Sequence, residues 1–181
     1  LLLKCFRLVY SKTQEDQIIF DIKRWKRDLR LTHYPRVLFV SKLFTHEEMM
    51  RLHRTGDCYV AADHGEGWNR VLQEALLMGK PVISSAYGGI HDYLNDEYYF
   101  PIHGELEQVT EQSWIPYYKS NQKWLNVDKE KLKQAMLYVF ANRALVQVKG
   151  IKAKDFMKDQ FNFYRVGMQM RHRLEIIERS L

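Results

Sequence analysis

The sequence is poor in the residues that staple or interrupt a chain. Among 181 residues there are two cysteines, four prolines and nine glycines. Two cysteines make no disulfide framework, and a chain this long can bury roughly two-thirds of its unfolded surface without one. So few prolines and glycines exclude the collagen-like and Pro/Gly-rich disordered classes. No apolar run approaches the roughly 20 residues that span a bilayer. The opening LLLKCF is too short for a secretory h-region. Acidic residues are the scarcer sign, 22 against 28 Lys and Arg, giving a net charge of +6. That surplus permits an anionic partner (a nucleotide, a nucleic acid, an acidic lipid surface) and names none of them. Cys5 and Cys58 each lie in an apolar run and read as reduced core residues, as in a cytoplasmic protein.

What is present is the balance of a globular domain, 46% hydrophobic and 28% charged. The whole of 1–181 reads as one domain: a βαβ core over 1–100, an irregular connection over 101–127 and C-terminal helices over 128–181. Residues 1–9 read as a buried strand, so the chain opens in mid-strand, as a fragment of something larger does. Ile18, Ile22, Trp25 and Leu29 recur at helical spacing over 14–30, with acids in the first turn and bases in the last. VLFV (37–40) is a second strand. Thr45 with Glu48 spells a capping box, and Phe44 with Met49 a hydrophobic staple, for a helix ending near Arg54. DCYVAA (57–62) and PVISS (81–85) are further strands, and Gly79 with Pro81 closes the helix between them. Continuous apolar strands in tight alternation with helices predict an α/β fold. It is a Rossmann-like parallel sheet with helices on both faces, ending in helices over 128–143, 149–160 and 162–179. In the last of these Val166, Met170, Ile177 and Leu181 mark an apolar face.

The informative stretch is 57–94. Ligands of open parallel sheets bind at the carboxyl ends of strands. There, after Ala62, a turn carries Gly65 and Gly67 and opens a helix, whose free N–H groups and dipole favour an anion such as a phosphate. That helix, 68–78, holds Val71, Leu72, Ala75, Leu76, Leu77 and Met78, so it reads as buried almost all round. Glu74 in its middle then needs hydrogen-bond partners. The hydroxyls of a sugar or ribose supply them, and Glu66 stands at the helix mouth. Two carboxylates and a backbone cradle at one strand end suit a nucleotide sugar.

The frame EGWNRVLQEALLMGKPVI followed by YGG resembles the Glu-x7-Glu signature of the retaining glycosyltransferases of family four (group 1), which have the GT-B fold. FTHEEMMRLHRTGDCYVAA resembles the family's helix and strand before the signature, and 124–170 its C-terminal helices. The likeness covers roughly 36–179. It implies the donor-binding domain of a hexosyltransferase that uses a UDP- or GDP-sugar and a glycan or lipid-linked acceptor. By the resemblance, Glu74 holds the donor ribose and Glu66 lies against the transferred sugar as the catalytic carboxylate. Gly67, Trp68, Asn69, Arg70 and Val71 form the turn whose amides face sugar and diphosphate, and Gly65 before it is a further donor-binding candidate. Ser41, Lys42 and Leu43 lie where the family places the nucleobase. The family uses no metal and no cofactor beyond the donor, and works in the cytoplasm or at the cytoplasmic membrane face.

The chain also departs from the family. The family's diphosphate-gripping Arg and Lys, and its N-terminal acceptor domain, have no counterpart in these residues, so the isolated chain is expected to be inactive. Asn69 stands where the family often has Gly.

Other readings stand beside these. The chain could be a non-catalytic nucleotide-binding or scaffold module, or a basic nucleic-acid-binding domain. Glu74 could pair with a lysine such as Lys80. His64 reads as an exposed loop residue, with an acceptor contact as the alternative. Lys23, Arg24, Lys26, Arg27 and Arg30 read as a solvated helix face. Trp114, Tyr117, Tyr118 and Trp124 read as a connection packed on the sheet rather than a base-stacking platform. His91 and Asp92 are further candidates for donor contacts. His33, His46, His53, His91, His103 and His172 show no metal-ligand spacing.

Overall fold

The computed structural model describes residues 1–4, 11–109 and 118–181. The chain forms two compact units, Leu1–Leu52 and His53–Leu181. In the first unit, strands β1 (Leu2–Lys4) and β2 (Leu38–Val40) pair in parallel, Leu2 opposite Leu38. Of the strand expected over 1–9, Cys5 to Val9 lie outside the described residues. Helix α1 (Lys12–Leu29) connects the two strands, capped by the Ser11 side chain, which accepts from the Gln14 N–H. Trp25 and Leu29 of its apolar stripe are more than half exposed, while Asp21 is 9% exposed and paired with Arg24 at 3.2 Å.

Helix α2 (His46–Thr55) carries the chain into the second unit. Its capping box forms as the spacing predicts: Thr45 N–H donates to Glu48 Oε2 at 2.8 Å, and Glu48 N–H to Thr45 Oγ1 at 3.2 Å. The Thr45 amide, then the Lys42 amine, holds the Glu48 carboxyl down at about 2.

The second unit is built on a parallel sheet in the order β3 (Tyr59–Ala61), β4 (Val82–Ser85), β5 (Phe100–Ile102). Successive strand residues point to opposite faces, and here both faces are covered. Val82 joins Leu72, Ala75 and Leu76 of α3 (Arg70–Leu77), and Ala153 and Met157 of α5 (Arg143–Gln160). Its neighbour Ile83 joins Val139 of α4 (Lys129–Ala141), with Val146 and Ile102. This two-sided burial is why the strands read as continuous apolar runs. Gly79, at φ 71°, ends α3: its N–H donates to the Leu76 carbonyl and that of Lys80 to the Ala75 carbonyl, a Schellman closure.

Three expectations differ from the structure. The connection over 101–127 contains an antiparallel ribbon of β6 (Gly104–Gln108) and β7 (Lys123–Val127), with Glu105 opposite Asn126. Its residues are mostly solvated, so no buried face wrote an alternating pattern into the sequence. Trp114 and Tyr117 lie outside the described residues. Helix α5 begins at Arg143, six residues before the expected start. Helix α6 (Phe163–Ser180) buries no residue, and its marked face is open, with Met170 62% exposed.

Candidate functional site

The second unit's candidate residues meet at the carboxyl end of β3, where the loop 62–69 leads into α3. Two anchors fix that loop. From one side, Glu66 bridges to Gly88 as an isolated parallel pair, and the Gly89 N–H donates to the Glu66 carbonyl at 2.9 Å. The approach is close enough to demand glycine: a Cβ on Gly88 would stand 2.4 Å from the Glu66 oxygen, and one on Gly89 1.6 Å from the Gly67 oxygen. From the other side β7 holds the loop. Leu125 N–H donates to the His64 carbonyl at 2.8 Å, and His64 Nδ1 returns to the Leu125 carbonyl at 2.7 Å. A carbonyl only accepts, so Nδ1 carries the proton. The His64 ring also stacks on Trp124 at 4.2 Å. His64 is exposed in the loop, as its first sequence reading has it, and is also tied to the ribbon.

Asn69 occupies the left-handed region, φ 55° and ψ 70°. Glycine takes that conformation freely, and Asn is among the few side-chain-bearing residues that tolerate it. This explains the departure noted in the sequence. Asn69 also does what glycine cannot. Its Oδ1 accepts from the Leu72 N–H at 3.0 Å, capping α3, and its Nδ2 donates to Asp63 Oδ2 at 3.0 Å. Asn69→Ala loses the cap and keeps the backbone strain, so it destabilises the protein by about 2 kcal/mol. Asn69→Gly loses the cap alone and costs well under half of that. Urea unfolding of the two variants checks the order.

Helix α3 is not buried all round. Leu72, Ala75 and Leu76 are fully buried against the sheet and α5, but Val71 and Leu77 are 38% and 37% exposed. Apolar composition shows that a face is buried, not how many neighbours cover the helix. The Glu74 side chain is 19% exposed, and its Oε2 lies 3.6 Å from His53 Nε2. Lys80, the partner considered in the sequence, instead donates to the Arg54 carbonyl at 3.3 Å. Trp68 stacks on Tyr93 at 4.4 Å, receives the Tyr93 hydroxyl on its carbonyl at 2.7 Å, and donates its indole N–H to Gln73. Gly65 and Gly67 stand exposed in the loop, as does Arg70 at the start of α3, and no atom lies within 4 Å of where a Gly67 Cβ would be.

The region is rich in carboxylates. Burial, reinforced by Asp63, raises the Glu66 pKa. Burial also raises that of Asp63, with Asn69 opposing. The Tyr59 hydroxyl is pushed up by burial and then by Asp63, Glu66 and Glu74. Tyr93 is pushed up to about 12 by burial, then by Glu66. Among the described residues no group of three His, Cys, Asp or Glu could hold a metal ion. Asp63 and His53 were not singled out by the sequence. Asp63 sits where the strand ends, a position that could have flagged it. His53 meets Glu74 from a different helix and left no local sign.

The first unit carries Ser41, Lys42 and Leu43, and the second unit the last two candidates, His91 and Asp92. Ser41 is 4% exposed at the end of β2. Lys42 is exposed and donates to Glu48 Oε1 at 2.9 Å, and Leu43 is 57% exposed. His91 and Asp92 stand exposed on the 3-10 turn Gly89–Asp92.

Residues 2–111 match the family model described as glycosyl transferases group 1. The chain belongs to the group 1 glycosyltransferases. No curated protein matches it. Among solved structures, sucrose-phosphate synthase from Thermosynechococcus elongatus is similar over 99% of the chain, with 18% identity and a TM-score of 0.65. Anabaena HepE in complex with UDP-glucose is similar over 96%, with 16% identity and a TM-score of 0.64. A glycosyltransferase from Rickettsia africae is similar over 97%, with 17% identity and a TM-score of 0.59. At these identities the likeness shows the fold, which is that of the GT-B glycosyltransferases. The chain spans about two-fifths of the length of these structures, 38 to 40%. Among the described residues no helix of this glycosyltransferase is long and apolar enough to cross a membrane.

Proposed function

We propose that the chain is the donor-binding domain of a retaining glycosyltransferase that takes a hexose from a UDP- or GDP-sugar. The observation that carries this reading is the pair of carboxylates at one strand end. Glu66 sits on a loop pinned by Gly89, and Glu74 lies one helix turn in from the mouth of α3. In this reading Glu74 accepts from the ribose hydroxyls, and Glu66 faces the hexose. The amides around Gly67 to Val71 take the developing charge of the leaving diphosphate, the electrostatic term that dominates such transfers. HepE is described with UDP-glucose bound, which supports a uridine donor here. We place the acceptor, a glycan or lipid-linked saccharide, on a domain within the length by which relatives exceed this chain, and the enzyme in the reducing cytoplasm.

Titration of the chain with UDP, GDP, duplex DNA and RNA across a salt series tests this. A saturable nucleoside diphosphate site with little salt dependence is expected. Nucleic-acid binding that falls steeply with salt, and no nucleotide binding, would overturn it.

A further inference from the structure

We infer that His53 is a positioning residue for Glu74: its buried Nε2–H sets one oxygen of that carboxylate for the donor's hydroxyls. The inference rests on the donor site proposed above and goes beyond it by adding a residue from α2.

His53 is 8% exposed, yet its Nε2 has no hydrogen-bond partner. A buried polar nitrogen without a partner is costly, and its presence in a folded protein calls for a reason. That nitrogen points at Glu74 Oε2 across 3.6 Å. The separation is within ionic reach but beyond the 2.7–3.2 Å of an N–H···O hydrogen bond. A small rotation of the Glu74 side chain closes it. Hydrogen bonds of working sites are often long without ligand and tighten when it binds.

The surroundings settle which form of the ring is present. The Tyr59 ring lies 5.9 Å away, tilted by 56°. The charged groups that act on the imidazole are Glu74 from α3 and Lys80 from the turn after it. Burial lowers the His53 pKa, Lys80 adds to the lowering, and Glu74 opposes it. The ring is therefore neutral at neutral pH, with one donor and one acceptor nitrogen. Only the Nε2–H tautomer sets a donor against the carboxylate; the other would oppose a lone pair to it. A neutral donor orients Glu74 without cancelling its charge.

A double-mutant cycle on UDP and GDP binding by the 181-residue chain tests the role. His53→Phe keeps an apolar ring in the site and removes the donor. It is expected to weaken nucleotide binding about threefold to tenfold, the effect of one hydrogen bond. His53→Gln, which restores an N–H, is expected to recover most of the loss. In a Glu74→Ala background His53→Phe should change nothing further. Equal loss in both backgrounds, or parent-like binding by His53→Phe, overturns the positioning role while leaving the donor site intact. If Glu74→Ala itself leaves binding unchanged, the donor site fails and the role of His53 with it. Thermal melting screens each variant first, and His53→Met replaces His53→Phe if that protein does not melt cooperatively.

Discussion

Glu74→Ala is expected to weaken UDP or GDP binding by about tenfold to a hundredfold, whereas Glu66→Ala leaves free nucleotide nearly as tightly bound as in the parent. The carboxylate of Glu74 stands in a helix whose buried side is wholly apolar, so hydroxyls bonded to it gain charge-assisted hydrogen bonds. Each such bond contributes about 1.5–3 kcal/mol. Glu66 is assigned to the sugar, so its removal shows only when the sugar is attached, as weaker binding of the intact UDP- or GDP-hexose. Calorimetric titration of both variants with nucleotide and with nucleotide sugar separates the two roles. Equal loss of free-nucleotide affinity in both variants contradicts the division of labour. Ratios to the parent chain are the quantity to compare.

The second large effect comes from two glycines that differ in what surrounds them. A methyl on Gly89 would lie 1.6 Å from the Gly67 carbonyl oxygen, backbone against backbone. The turn and the signature loop must then part. Gly89→Ala is expected to destabilise the protein by about 3 kcal/mol, at or above the upper end for overpacking, and to abolish donor binding. Gly67→Ala meets nothing within 4 Å and does not need a positive φ. Its melting temperature should match the parent's. Its methyl nevertheless occupies the open space in front of the loop amides, so donor affinity should fall about tenfold or more, a loss of ~1.4 kcal/mol. Thermal melts and nucleotide titrations on the two proteins give the contrast. A stable Gly67→Ala protein that binds like the parent would mean that the loop does not face the donor.

Local signals in the sequence were legible where chemistry acts over a few residues. Thr45 and Glu48 cap each other as their spacing predicts, and Gly79 closes α3 with its N–H on the Leu76 carbonyl. The strands of the second unit were legible because both faces are covered, and Val82 and Ile83 look to opposite clusters. Relations between separate elements were not. Glu74 meets His53, on another helix, while the nearer lysine turned to the Arg54 carbonyl. The β6–β7 ribbon was missed because a solvated two-stranded ribbon imposes little patterning: Leu125 is buried, but Leu106 opposite it is 51% exposed. The tie between that ribbon and His64 followed it out of sight. Periodicity located the stripe of α6 but could not say that none of its residues is buried. The substitution at Asn69 was visible as a departure. Only the backbone angle and the bonds to Leu72 and Asp63 gave it a cause.

The measurement that tests the central claim most directly is amide hydrogen exchange of the chain with and without saturating UDP-glucose. A donor seated at the β3–α3 junction slows exchange in the loop 65–69, the first turn of α3 and the turn 88–92, and leaves α6 and the β6–β7 ribbon unchanged. Protection confined to other segments, or no protection at a concentration that saturates the calorimetric signal, would contradict a donor site built on Glu66 and Glu74.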